Sequence, residues 1–193
     1  MSIEIKQSVD ELAGKLLIAM PGIGDPRFER AVILICEHSN EGTMGLIINK
    51  VAEEVSLSDV TKQLELGAPE AEASQDVYFG GPVEMGRGFV LHSSEYVSGI
   101  ASHKVIEGVR LSGTLDVLED IAQGRGPAQA LFALGYAGWG EGQLEGEILQ
   151  NGWLTVDADA AFIFSGEASS MWSRALGKLG IDPLMLSADA GHA

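Results

Sequence analysis

Cys36 and His38 stand two apart in the run AVILICEH, and on an extended strand that spacing puts a thiol and an imidazole on one face. A thiol beside an imidazole is the beginning of a nucleophile and its general base. The neighbours argue against that use. Cys36 closes an unbroken apolar run, where cysteine behaves as a small core residue. Apolar surroundings also raise a thiol's pKa and make it inert. No catalytic residue is assigned, and the sequence holds no complete catalytic constellation, so the reading leans away from an enzyme.

The remaining polar residues that interrupt apolar strands suggest binding. His38 and Asn49 end two buried strands, and His92 ends a third. Beside them lies Gly80-Gly81-Pro82, a glycine turn that lets a ligand approach backbone. His38, Asn49, Gly80, Gly81, Pro82 and His92 are therefore the candidate ligand-binding set. The bland alternative is that each imidazole is hydrogen-bonded at a strand end. With His38, His92 and His103 dispersed, and no HxH, HExxH or cysteine pair, no metal site is expected.

Strand-like Ala130–Tyr136 runs into GYAGWGEG and then a helical pattern, the order of a phosphate-cradling unit. Its spacing fails, with Gln143 or Glu145 where a third glycine belongs, and no Gly-Lys-Ser/Thr follows. No cofactor is expected. Gly142 and Gly146 would give the following helix a bare face for close backbone approach, and Trp139, Gln143 and Glu147 form a candidate surface for a protein partner. Asp116, Glu119 and Asp120 share one helix face, which reads as solvated.

The elements that must hold these residues follow from periodicity and punctuation. Leu16–Met20, Ala31–His38 and Met44–Asn49 read as buried strands, the last two as a hairpin across Ser39–Gly42. Ser56 with Asp59 forms a capping box for a helix carrying Leu57, Val60 and Leu64 inward. An acidic loop over Ala68–Asp76 follows. Val77–Phe79, Arg87–His92 and Lys104–Val109 are shorter strands. Thr114 caps a helix with Leu115, Leu118, Ile121 and Ala122 inward. A helix is expected over Glu141–Gln150, strands over Trp153–Val156 and Ala160–Phe164, and a last helix capped by Ser165. That helix turns Met171, Trp172, Ala175, Leu176 and Leu179 inward and ends at Gly180. Strands and helices alternate irregularly, which indicates α+β.

The chain of 193 residues fits a single domain, with a core over about 12–182. Its formal charge of −16, with 12 Lys and Arg scattered along it, lacks the basic footprint of a nucleic-acid binder. Its longest apolar runs fall far short of the ~20 residues of a membrane helix. A lone cysteine suits a reducing compartment, and a cytoplasmic location without membrane contact is expected.

Taken together, GKLLIAMPG (Gly14–Gly22), Asp25–Ala31, Glu37-His38, GTMGLIINK (Gly42–Lys50), FGGPV (Phe79–Val83), GFVLH (Gly88–His92), GYAGWGEGQLEG (Gly135–Gly146) and Asn151-Gly152-Trp153 resemble the AlgH/YqgE family of uncharacterised bacterial proteins. The resemblance spans about Leu12 to Asp182. It implies a split, mostly antiparallel sheet curled into a pseudo-barrel with flanking helices, and a cytosolic protein. Some relatives are labelled transcriptional regulators, although no helix-turn-helix is apparent in this sequence. Val51 departs from the pattern, since many relatives carry proline there, which puts the rigidity of that loop in question. Two functions follow as expectations. The first is a non-enzymatic regulatory domain acting through an unknown protein partner. The alternative is a small-ligand binder, or a cryptic enzyme, using the His38–Asn49–His92 pocket.

Overall fold

A computed structural model describes residues 12–66 and 76–186. The expected acidic loop therefore lies outside the described residues except for Asp76.

Three antiparallel strands form the centre: β1 (Lys15–Ala19), β2 (Val32–Ser39) and β3 (Gly42–Ile47). They are apolar on both faces because both faces are covered. Leu16, Ile18, Val32, Leu34 and Leu46 point to one core, and Leu17, Ile33, Ile35 and Ile47 point to another. The first core is closed by α4 (Ala160–Ile163) and α5 (Ala168–Lys178), which supply Phe162, Met171, Trp172 and Leu176. The second is closed by Leu144 of α3 (Gln143–Leu149), by Trp139 and Trp153, and by Phe28 of the Met20–Arg30 connection.

The remaining strands are β4 (Val51–Ser56), β5 (Asp76–Phe79), β6 (Val83–Ser93), β7 (His103–Ile106), β8 (Val109–Ser112), β9 (Ala130–Gly140) and β10 (Trp153–Asp157). The main path runs β10-β1-β2-β3-β9-β6-β8-β7, with β4 and β5 joined to β9 through a parallel β5–β9 pair. The sheet curls. His103 of β7, at one end of the order, donates from Nε2 to the carbonyl of Cys36 in β2 at 3.3 Å. The fold is thus α+β, a curled and mostly antiparallel half-barrel. The helices α1 (Leu57–Gln63) and α2 (Leu115–Ala122) cover a third apolar cluster around Val77, Val90 and Phe132.

Several local expectations are corrected. Where a strand is expected over Ala160–Phe164, Ala160–Ile163 is helix, because Asp159 accepts a hydrogen bond from the Phe162 N–H and starts a turn. The last helix begins at Ala168 with Glu167, not Ser165, at its N-cap position, while the Ser165 hydroxyl donates back to the carbonyl of Phe162. Lys104–Val109 divides into the hairpin β7–β8 about Gly108. GYAGWG continues β9 and is no turn; Gly142, at φ 68°, turns the chain into α3. A Cβ at Gly142 or Gly146 would meet nothing within 4 Å, so neither glycine serves a close backbone approach. Leu64, Leu115 and Leu179 face outward, being 40%, 55% and 40% exposed. Thr114 sits at the start of α2 without capping it; its hydroxyl donates to Asp116. β4 begins at the departing residue Val51, which pairs with Tyr78.

Candidate functional site

The two imidazoles do not converge. The His92 ring is fully buried, with Nδ1 donating to the Ser93 carbonyl at 3.0 Å and Nε2 meeting the Ser112 hydroxyl at 2.9 Å. Its side-chain hydrogen bonds are complete where it sits. The His38 side chain is 2% exposed and forms a different chain: Thr43 Oγ1 lies 2.6 Å from Nδ1, and Glu145 Oε1 lies 3.2 Å from Nε2. Hydroxyl, imidazole and carboxylate in line is the connectivity of a nucleophilic triad. Thr43 is only 6% exposed, however, and neither Thr43 nor His38 lines any of the clefts described below. The chain therefore fastens α3 to the β2–β3 hairpin. Cys36 is no nucleophile either: burial pushes its thiol pKa up, and the ladder register slips between Ile35 and Glu37 beside it.

Gly80-Gly81-Pro82 serves a backbone crossing and lines none of the clefts described below. Gly80 N–H donates to the Leu134 carbonyl, and the Gly80 carbonyl accepts from Ile47 N–H at 2.9 Å, bridging β9 to β3. A Cβ on Gly81 would lie 2.1 Å from the Tyr136 carbonyl carbon, so no larger residue fits there. The expected partner surface is also committed internally. Glu147 Oε2 accepts the indole N–H of Trp139 at 2.7 Å and of Trp153 at 3.0 Å. Gln143 Oε1 accepts from Gly140 N–H at 3.0 Å.

Asn49 leads elsewhere. Its Oδ1 accepts from Val32 N–H at 2.8 Å and its Nδ2 donates to the Arg30 carbonyl at 2.8 Å, so one amide clamps the entry to β2. Arg30 is held at φ 53°, in the left-handed region that non-glycine residues rarely occupy. Its guanidinium stands 5.3 Å from the centroid of the Trp172 ring. Trp172 is fixed in turn by its indole N–H donating to the Ala19 carbonyl at 2.9 Å.

Two clefts meet at Arg30. A cleft of about 700 Å³ runs between the Met20–Pro26 segment, α5 and Pro183–Leu186. A smaller one of about 310 Å³ is walled by Asn49, Lys50, Ala168 and Ser169. Glu29, Arg30, Trp172 and Ser173 line both. Asp25, on the larger cleft, is engaged by Arg27 at 2.7 Å, whose hydrogen bonds hold its carboxyl below the usual range. Neither Arg30 nor Lys50 makes an ion pair or a side-chain hydrogen bond among the described residues. The arrangement offers a furrow with an apolar floor and two uncommitted cations, suited to holding a small molecule. A third cleft of about 390 Å³, beside Trp139 and Trp153, lies across the Gly22–Asp25 segment. Sequence reasoning reached Asn49 but missed Arg30, Lys50 and Trp172. The only written signal for them was the Pro- and Gly-punctuated segment before Arg30 and the adjacency of Asn49 to Lys50.

This sequence and this fold have known relatives. The family described as AlgH-like matches residues 16–184, and the chain belongs to it. A UPF0301 protein of Ruegeria pomeroyi is 55% identical over 95% of this chain and 100% of its own length. Another, from a Jannaschia species, is 53% identical over 95% and 96%. The solution structure of the AlgH protein from Pseudomonas aeruginosa aligns with a TM-score of 0.78 at 42% identity, covering 98% of this chain and 100% of that one. A crystal structure from Corynebacterium diphtheriae shares the fold, with a TM-score of 0.69 at 21% identity over 91% and 89%. Among the described residues, no helix is long and apolar enough to cross a membrane.

Proposed function

We propose that the protein is a non-enzymatic regulatory domain of the cytoplasm that binds a small molecule in the furrow between Met20–Arg30 and α5. The observation that carries this reading is Arg30. A left-handed arginine costs about 1–2 kcal/mol relative to an ordinary backbone conformation. It is maintained by the Asn49 clamp at the place where two clefts join. Strain held by surrounding structure beside a cleft motivates a functional assignment there. Against catalysis stand the burial of Cys36 and of the Thr43 hydroxyl and His38 ring, although Glu145 at the end of that chain is exposed.

The test is a thermal-shift screen of a metabolite library on three proteins: wild type, Asn49→Ala and Ser173→Tyr. The exposed Ser173 lines both clefts, so tyrosine there obstructs the furrow without entering the core. A ligand that stabilises wild type but neither variant is the expected result. Equal stabilisation of all three places binding elsewhere and removes the reading.

A second reading, regulation through a protein partner, is supported by Leu184 and Met185. They stand 91% and 80% exposed, and Leu184 edges the larger cleft. Affinity capture from lysate should then recover a stoichiometric partner that Leu184→Asp loses. Repeated failure across growth conditions counts against this reading.

A further inference from the structure

We propose that the furrow takes an organic phosphate, with the phosphate group in the smaller cleft on Arg30 and Lys50 and an apolar body in the larger one. The inference rests on the small-molecule reading above and adds the chemical class. In a chain with 28 acidic and 12 basic side chains, most described cations are committed. Lys15, Arg27, Arg87, Lys104, Arg125 and Lys178 all pair with carboxylates. Arg30, Lys50 and Lys62 make neither an ion pair nor a side-chain hydrogen bond among the described residues, and of these Arg30 and Lys50 line one cleft of about 310 Å³. Unpaired cations that line one cavity are explained by an anion that comes to them.

The backbone of each is fixed. The Lys50 carbonyl accepts from Phe79 N–H at 2.8 Å, which anchors its backbone to β5. The Arg30 backbone is held by Asn49 and its guanidinium lies over Trp172. Ser169 adds a hydroxyl to the same wall. A guanidinium, an ammonium and a hydroxyl together present more donors than two carboxylate oxygens can accept, and three phosphate oxygens use them better. Glu29, exposed on the shared wall, is the one carboxylate lining the smaller cleft and opposes any anion there, so binding has to rest on Arg30 and Lys50 together. Beyond Arg30 the wall turns apolar, with Ile23, Pro26, Leu184 and Leu186. That sequence of surfaces matches a compact anionic head on an apolar body.

Hexyl phosphate is the probe, titrated into the full-length protein at low salt and followed by amide and indole NMR resonances. The expected result is saturable movement of the Trp172 indole and Ser169 amide signals. Affinity should fall at least tenfold in Arg30→Gln and in Lys50→Gln, and remain unchanged in Lys104→Gln. Inorganic phosphate should move the Ser169 signal more weakly, and hexanol should not move it. Retained dispersion of the remaining resonances shows that the variants fold, and Arg30→Lys, which keeps the charge, should recover part of the affinity. Co-sedimentation with phosphatidic acid vesicles then separates the two sources of this chemistry. Binding that Lys50→Gln abolishes identifies a lipid headgroup, and hexyl phosphate binding without co-sedimentation identifies a soluble phosphate. No saturable effect of hexyl phosphate, or affinity indifferent to both cation variants, overturns the inference. If an uncharged library compound nevertheless stabilises wild type but not Ser173→Tyr, the small-molecule reading survives and only the phosphate assignment falls.

Discussion

At the scale of single residues, polar side chains that look available in sequence are mostly spent on internal bonds. Glu147 is the sharpest case, with one carboxylate oxygen accepting both indole N–H groups of Trp139 and Trp153, whose side chains are nearly buried. Leaving a buried donor unpaired costs about 1–3 kcal/mol. Glu147→Ala should therefore lose roughly 2–4 kcal/mol in urea unfolding, whereas Glu147→Gln, which retains an acceptor oxygen, should lose well under half of that. Equal losses would mean that the charge, and not the acceptor, matters. Arg30 makes the opposite prediction. Glycine relieves its left-handed backbone, so Arg30→Gly should be more stable than wild type by up to about 1 kcal/mol, after the extra freedom glycine gains when unfolded. The same variant should gain no thermal stabilisation from hexyl phosphate. Asn49 was legible as a polar break in an apolar run. The strained partner it clamps was not, because a positive φ at arginine comes from tertiary contacts and leaves no mark in local sequence.

Elements were legible wherever burial and period agreed. The strands β1 to β3 are apolar on both faces, and the sheet buries both. The capping box of Ser56 and Asp59 is present as read, with the Ser56 hydroxyl accepting from Asp59 N–H at 3.1 Å. Reading failed at AAFIF, where a short apolar run fits strand or helix equally and only the cap decides. Asp159 is that cap. Its carboxyl is held below its ordinary value of 3.8, first by the Lys178 ammonium at 2.6 Å and then by the Phe162 N–H. A folded-state pKa below the unfolded one gives stability that is complete above the ordinary value and lost as pH falls through the folded one. Asp159→Ala should cost about 1 kcal/mol at neutral pH. Asp159→Asn keeps a capping oxygen but gives up the Lys178 pair. Its deficit against wild type, read as Tm, should shrink as pH drops from about 5 to about 3. A deficit that stays constant across that range would remove the ion pair from the account.

At the scale of the molecule, the α+β class was readable from irregular alternation, whereas the curl was reached only through the family resemblance and is written in no local pattern. It depends on β7 reaching β2, through contacts such as His103 with Cys36 that are 67 residues apart. The furrow depends on the same long-range assembly, since its walls come from Met20–Arg30, Lys50 and α5. Charge is a property the sequence states directly, and its consequence is global. A formal net charge of −16 spreads repulsion over the folded surface, and folding brings those charges closer than in the unfolded chain. Salt screens that repulsion; it also screens the surface ion pairs, but these are each worth little. Self-repulsion should prevail, so Tm should rise by a few degrees between roughly 20 mM and 200 mM NaCl, corresponding to about 1 kcal/mol for a chain of this size. The furrow should respond in the opposite sense, because screening weakens the hold of Arg30 and Lys50 on an anion. Hexyl phosphate should thus bind most tightly where the unliganded protein is least stable. A Tm that falls with added salt would place the surface ion pairs above self-repulsion, and phosphate affinity indifferent to salt would separate binding from the two cations.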